Sequence, residues 1–135
     1  MMNKKEPYDV RFVLAEDYRE EAGKKLTLLG VLAGDDINLA KGDIGKALPS
    51  LIILIIARGA RGKFKANVEF FAPSGSRLFE KSLPKDVEIN IQEEQNFVIP
   101  IKISPFPIEE FGKYMVRFLL DDKPYEYSFI IRATQ

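Results

Sequence analysis

Short apolar segments, most of them alternating with polar residues, run along the whole of this chain. The segment Asp9 to Ala15 places Val10, Phe12 and Leu14 on one face, and Lys25 to Leu32 repeats the pattern with an interruption at Gly30. A period of two is typical of a strand with one buried face, and β-branched and aromatic residues favour that conformation. Because no long segment has a helical period, the sequence predicts an all-β protein.

Turn residues divide the rest of the chain into further strands. The predicted strands are Phe64 to Phe70, Arg77 to Ser82, Val87 to Ile91, Phe97 to Ile103, Tyr114 to Leu120 and Tyr125 to Ile131. Hairpin turns are predicted at Pro73-Ser74-Gly75, at Glu93 to Asn96 and at Asp121-Asp122-Lys123. The charged segment Glu16 to Lys24 predicts a connection with at most one helical turn. Pro100 lacks a backbone N–H and predicts an edge position or a bulge.

Eight to ten short strands at this spacing predict an antiparallel β-sandwich with an immunoglobulin-like or jelly-roll-like layout. The 135 residues fit one domain, which we expect over residues 9–135 after a flexible arm at residues 1–8. Met1 to Pro7 is polar, with no apolar stretch behind it to act as a signal peptide. We therefore expect a cytoplasmic location.

The composition argues against several classes of activity. The chain has no His and no Cys, which removes the usual catalytic triads, imidazole and thiolate metal sites and disulfides. Twenty basic and twenty acidic side chains cancel, so no overall field attracts nucleic acid or an anionic membrane. We expect a non-catalytic protein without a cofactor.

Several short motifs together resemble an uncharacterised bacterial family of small all-β sandwich domains. The motifs are Asp17-Tyr18 after the first strand, Gly23-Lys24, Gly30, Pro73-Ser74-Gly75, Phe111-Gly112-Lys113-Tyr114 and Leu120-Asp121-Asp122. The resemblance implies a stand-alone bacterial domain without an assigned activity, and it carries over no site residue. Gly112 and Tyr114 also resemble the tyrosine corner of immunoglobulin-like sandwiches, although the paired cysteines and core Trp of true immunoglobulin domains are absent.

The run Leu51 to Ala57 is the strongest candidate for a functional surface. Leu51, Ile53 and Ile55 lie on one face of the predicted strand, and the residues between them make the other face apolar as well. Something must cover the second face, either the chain's own loop or N-terminal arm or another subunit. We expect either self-association as a homodimer or the binding of another protein, and in both cases the contact is made through Leu51, Ile53 and Ile55.

Two charged clusters are weaker candidates. Arg58, Arg61, Lys63 and Lys65 form a basic patch that could hold phosphate, but charges that guard an aggregation-prone strand are the favoured interpretation, and no nucleic-acid partner is expected. Asp35, Asp36 and Asn38 could supply oxygen ligands to calcium, but their spacing matches no EF-hand loop, so no metal is expected.

Three functions remain open. The first is an interaction or structural domain that self-associates. The second is a small-molecule or carbohydrate-binding module, for which Tyr125, Tyr127 and Phe129 could form an aromatic platform unless that face is core. The third and weakest is a hydrolase that uses two of the chain's paired carboxylates.

Overall fold

The computed structural model describes residues 4–23, 25–32 and 34–134, and most of them lie in β-strands. The strands are β1 Asp9–Glu21, β2 Lys25–Val31, β3 Asp36–Ala40, β4 Ala47–Leu48, β5 Leu51–Phe71, β6 Arg77–Leu78, β7 Val87–Ile103, β8 Phe106–Pro107, β9 Gly112–Leu120 and β10 Lys123–Thr134. Within these ranges the single helix is the 3-10 turn Lys41–Asp43. The predicted all-β class is confirmed. No helix in the described ranges is long and apolar enough to cross a membrane.

Eight strands form one mixed sheet. Its order is β2-β1-β5-β9-β10-β3, with β6 and β7 also paired to β5, and β4 pairs with β8 separately. The pair β3 and β10 is parallel, so the expectation of a wholly antiparallel arrangement was wrong at this position. The predicted direction came from hairpin turns, and no hairpin joins these two strands, which lie far apart in the sequence. The turn residues therefore held no information about their relative direction.

Strand β5 is far longer than the predicted strand Leu51 to Ala57. It continues for 21 residues through Gly59 and Gly62, where the sequence predicted an end. The pairing with β7 shifts register between Ala57 and Gly62, and both glycines have positive φ, 75° and 112°. A bulge built on left-handed glycines bends a strand without ending it. The glycines that indicated a turn are therefore the residues that let β5 continue.

Strand β7 corrects a second prediction. The polar residues Glu93 to Asn96, which predicted a hairpin turn, lie within the continuous strand Val87–Ile103. They lie opposite the β5 bulge, where the Asn96 Oδ1 atom accepts a 3.0 Å hydrogen bond from the Gly59 N–H. These polar residues are exposed to solvent and lie beside the bulge within the strand. Among the described strands, β7 pairs with β5 alone, so the edge position that Pro100 predicted is confirmed.

Strand β5 joins the two ends of the sheet, and residues of both ends belong to one core cluster. Its first half pairs with β1 and its second half with β9. Leu14 and Ile53 from one end and Phe118 and Phe129 from the other are each at most 1% exposed within this cluster. Apolar residues from distant parts of the chain are thus buried together.

The last hairpin has the predicted form. Strands β9 and β10 are joined by Asp121 and Asp122, which have φ values of 48° and 69°. Two successive left-handed residues in a two-residue loop are typical of a type I′ turn. By contrast, the predicted hairpin across Pro73-Ser74-Gly75 has only the two paired residues of β6.

The first connection also differs from expectation, and part of the N-terminal segment is hydrogen-bonded to β5. Strand β1 continues to Glu21, so the charged connection is mostly strand. In the predicted flexible arm, the Lys5 N–H donates to the Arg61 carbonyl oxygen at 2.8 Å, and the Lys5 carbonyl oxygen accepts from the Arg61 N–H at 3.0 Å. Residues 4–8 are therefore hydrogen-bonded to β5, whereas the first three residues of the arm lie outside the described ranges.

Candidate interaction surfaces

Leu51, Ile53 and Ile55 lie in the interior of the folded chain. Their exposed fractions are 1%, 1% and 0%, and all three belong to the main core cluster. This corrects their proposed use as an interface, because side chains buried this completely in the core cannot reach a partner while the domain stays folded. The sequence showed correctly that both faces of this strand need a cover.

The second face of the same strand is covered by the chain itself. Ile52 and Leu54 are only 0% and 6% exposed. The β1–β2 hairpin approaches β7, which pairs with the other side of β5: Asp17 forms a 3.1 Å ion pair with Lys102, and Leu26 lines a surface depression together with Pro100. The cover of this face therefore comes from the same chain and not from another subunit, which is the first of the two alternatives that the sequence left open.

Strand β2 forms an apolar free edge of the sheet. It pairs with β1 on one side and has no strand on the other among the described residues. Leu29 and Val31 are 40% and 51% exposed, and Lys25, at its first position, is the only charged residue of this strand. An edge strand of this kind presents unpaired backbone groups beside apolar side chains. The sequence predicted this strand but gave no sign of its edge position.

The edge formed by β7 has a different character. Val98 is 48% exposed there, but Pro100 lacks a backbone N–H and Lys102 places a charge on the same segment. Proline and lysine are two devices by which natural edge strands avoid pairing with other chains. Of these two edges, β2 has no proline and carries a lysine only at its first position, Lys25.

Each residue of the basic patch has an acidic neighbour. Arg58 lies 3.8 Å from Asp9, Lys63 lies 3.9 Å from Glu88, and Lys65 lies 3.7 Å from Asp86. A hydrogen bond from Lys5, together with the weaker charge effect of Arg61, lowers the pKa of Glu94. The patch is a set of exposed ion pairs along the sheet, an arrangement that fits a solvated, guarding surface better than an anion site.

A cleft of about 620 Å³ opens beside β3. Its lining comprises Glu16, Asp17, Leu32, Asp36, Ile37, Asn38, Leu39, Leu48, Pro49, Ser50 and Leu51. Apolar side chains form much of this lining, and the carboxylates of Glu16, Asp17 and Asp36 add negative charge. The sequence showed no sign of this cleft, because Asp36 to Ala40 lack a clear strand pattern and no local signal brings Glu16 and Asp36 together.

The acidic residues of the cleft are held in different ways. A hydrogen bond from the Tyr18 backbone N–H, and a second from Lys102, lower the pKa of Asp17. Asp36 lies 3.4 Å from Arg132, and Glu16 forms no ion pair with any described residue. A lowered pKa is the opposite of what a general acid in glycoside hydrolysis needs.

The residues considered for calcium have partners within the protein. Asp35 accepts a 2.5 Å hydrogen bond from the Tyr127 hydroxyl, and Asp36 pairs with Arg132. In the ranges 4–23, 25–32 and 34–134, no three acidic side chains come together in a group that could hold a metal ion.

The aromatic row on β10 packs inward. Phe129 is 1% exposed and stacks on Tyr114 at a ring-centroid distance of 5.4 Å, while Tyr127 stacks on Phe12 at 5.3 Å. Tyr125 lies 6.3 Å from the ring of Phe118. The row is therefore packed against the core, which was the alternative to an aromatic platform for binding a ligand.

Tyr114 makes the hydrogen bond expected of a tyrosine corner. Its hydroxyl donates to the carbonyl oxygen of Glu110 at 2.7 Å. Gly112, two residues earlier, has a φ of 134°, and a Cβ at this position would lie 3.0 Å from Pro73. The pair that the sequence singled out as structural thus lies at a tight corner where strand β9 begins.

Comparison with known proteins adds little to this description. No family model matches the chain, and no curated protein matches it. Among solved structures, it is similar to the β-glucosidase from Listeria innocua, in a crystal structure alone and in another in complex with glucose. Both comparisons have 10% identity and a TM-score of 0.39, and they cover 91% of this chain and 16% of the β-glucosidase chain. A likeness at this level carries no argument about function.

Proposed function

We propose that this protein is a non-catalytic interaction domain that self-associates through the free edge of β2. The observation that carries this proposal is the exposure of Leu29 and Val31 on an edge strand whose outer side has no strand partner in the described structure. Pairing with a second strand would satisfy backbone N–H and C=O groups and remove apolar side chains from water.

The composition of β2 suits pairing with its own copy. In an antiparallel arrangement centred on Leu28, Lys25 lies opposite Val31 and Thr27 lies opposite Leu29. No like charges face each other in this register, and the central Leu28 pair is apolar. Cross-strand apolar pairs each stabilise an antiparallel arrangement by roughly 0.2–1 kcal/mol. We therefore propose a homodimer in which the two sheets are continuous across β2.

The family resemblance belongs to the same proposal. It implies a stand-alone bacterial domain, which we expect in the cytoplasm, with an immunoglobulin-like or jelly-roll-like layout. The hydrogen bond from Tyr114 to Glu110 supports the immunoglobulin-like version. Function follows from the β2 edge and not from this layout, because one fold serves many functions.

The test is the molar mass by light scattering across a hundredfold range of concentration. We expect a dimer that dissociates on dilution, and Leu29→Lys should give a folded monomer because a lysine on an edge strand opposes pairing. Val98→Lys is the matched control, since Val98 is 48% exposed on the other edge and should leave the dimer unchanged. A wild-type chain that stays monomeric over the whole range would exclude the proposal.

A further inference from the structure

The cleft beside β3 has an apolar floor. Ile37 and Leu51 are 6% and 1% exposed at its base, and the half-buried Leu32, Leu39 and Leu48 extend the apolar surface toward the opening. Its volume of about 620 Å³ falls in the range of roughly 300–1,000 Å³ typical of ligand-binding sites. The cleft can therefore remove several aliphatic groups of a ligand from water.

The free edge of β3 supplies backbone hydrogen-bonding groups beside this floor. Asp35 and Leu39 direct their carbonyl oxygens toward β10, where they accept hydrogen bonds from the Ile130 N–H at 2.9 Å and the Thr134 hydroxyl at 3.0 Å. Successive residues of a strand direct their backbone groups to opposite sides. The backbone groups of Asp36 and Asn38 therefore point away from β10, and both residues line the cleft.

The charge of the cleft favours a basic ligand. Its described lining includes three carboxylates and no Lys or Arg. Asp17 and Asp36 are each paired with a basic residue outside the lining, Lys102 and Arg132, whereas Glu16 has no ion pair with the described residues. One carboxylate at the rim is thus available to an incoming cation.

We infer that the cleft binds an extended peptide segment of a partner protein. The segment pairs with the outer edge of β3, places alternate apolar side chains on the half-buried leucines of the cleft, and directs one Lys or Arg toward Glu16. Edge addition of this kind takes its affinity from main-chain hydrogen bonds and its specificity from alternate side chains. Five residues of β3 offer an edge about 16 Å long.

The test uses fluorescence anisotropy of the full-length protein with a labelled peptide of sequence Val-Lys-Val-Lys-Val. We expect saturable binding that is lost when alternate peptide nitrogens are methylated, because methylation removes the N–H groups that pair with β3. The acidic peptide Val-Glu-Val-Glu-Val should bind more weakly. No binding of the basic peptide at millimolar protein, or equal binding of the methylated peptide, would overturn the inference.

Two variants, at Asn38 and Glu16, and one control test which atoms of the cleft bind the peptide. Asn38→Pro removes the free-edge N–H and should weaken binding by at least about tenfold, whereas Asn38→Ala keeps that N–H and should bind like the wild type. Glu16→Gln should weaken binding by up to about fivefold and reduce its salt dependence. Circular dichroism and urea midpoints establish that each variant is folded, and unchanged affinity in a folded Asn38→Pro would contradict pairing with β3. The light-scattering test of β2 is independent of this result, so the two proposals can fail separately.

Discussion

The hydroxyl of Tyr114 donates a 2.7 Å hydrogen bond to the carbonyl oxygen of Glu110, four residues earlier in the chain. The phenol ring itself is only 2% exposed and stacks on Phe129. One side chain thus links the loop before β9 to the aromatic part of the core, and its hydroxyl and ring contribute separately to stability.

Removal of the Tyr114 hydroxyl should destabilise the domain without altering its core. Tyr114→Phe keeps the ring and deletes the donor, so we expect the free energy of unfolding to fall by about 1 kcal/mol, the usual contribution of one hydrogen bond. Urea unfolding followed by circular dichroism measures this change. Tyr8→Phe is the control, because Tyr8 is 71% exposed and should give no measurable loss. Equal stability of Tyr114→Phe and the wild type would show that the corner bond is dispensable.

Stability should also fall at alkaline pH. Burial raises the pKa of Tyr114, and burial together with the hydrogen bond to Asp35 raises the pKa of Tyr127. A raised pKa in the folded state contributes stability that is fully present below the unfolded value of about 10 and is lost as the pH rises through the folded value. Urea midpoints from pH 8 to 12 should therefore decrease above pH 10.

Replacement of Tyr127 tests the source of this alkaline loss. Tyr127→Phe removes one titrating group and should make the decrease shallower, although it lowers stability at pH 8 by removing the bond to Asp35. Tyr8→Phe again serves as the control, because it removes a hydroxyl from a side chain that is 71% exposed. A Tyr127→Phe profile parallel to that of the wild type would exclude Tyr127 as a cause.

Gly59 should tolerate alanine less well than Gly75, although both glycines have a positive φ. A Cβ at Gly59 would lie 2.4 Å from the ring of Tyr8, whereas a Cβ at Gly75 meets no atom within 4 Å. Both substitutions carry the cost of a left-handed alanine, about 1–2 kcal/mol, and Gly59→Ala must also displace the ring. Urea unfolding of the two variants should show the greater loss for Gly59→Ala.

A double variant isolates the part of this loss that Tyr8 causes. Gly59→Ala combined with Tyr8→Ala should lose little more stability than Gly75→Ala, because the obstructing ring is gone. If Gly59→Ala and Gly75→Ala are equally stable, the close approach of the ring has no energetic consequence.

Asp121 should contribute to stability at neutral pH and lose that contribution in acid. A hydrogen bond from Lys4 and another from the Lys65 backbone N–H, 2.9 Å in length, lower the pKa of Asp121. A lowered pKa gives stability that is present above the unfolded value and disappears as the pH falls through the folded value. Urea midpoints from pH 7 to 2 should therefore change less in Asp121→Asn than in the wild type.

The neighbouring Asp122 supplies the matched control for this titration. Both aspartates occupy left-handed positions of the β9–β10 turn, which asparagine also accepts, so neither Asn variant strains the backbone. Asp122→Asn leaves the bonds from Lys4 and Lys65 to Asp121 in place, so the difference between the two Asn variants measures what those bonds contribute. If the two Asn variants behave alike, the bonds from Lys4 and Lys65 do not set the acid response.

Several strands could be predicted because their pattern is local. Alternation identified β9 and β10, and two aspartates between them specified a tight turn. The apolar run at the start of β5 indicated correctly that both faces of this strand require a cover. These features depend on the residues within one segment, and the period of two is visible without knowledge of any partner strand.

The remainder depended on tertiary pairing. Gly59 and Gly62 indicated a turn in isolation, but pairing on both sides of the bulge keeps β5 continuous. The residues Asp36 to Ala40 lack a strong strand pattern, and β10 holds them in a parallel pair that no local signal specifies.

By itself, the sequence determined the all-β class, the final hairpin and the need to cover both faces of the apolar β5 segment, because period, turn chemistry and hydrophobicity are properties of neighbouring residues. Only the tertiary structure decided that Ile53 is core, that β2 is a free apolar edge and that Glu16 and Asp36 border one cleft. Burial and edge position depend on contacts between segments far apart in the chain, and no local pattern of residues specifies those contacts.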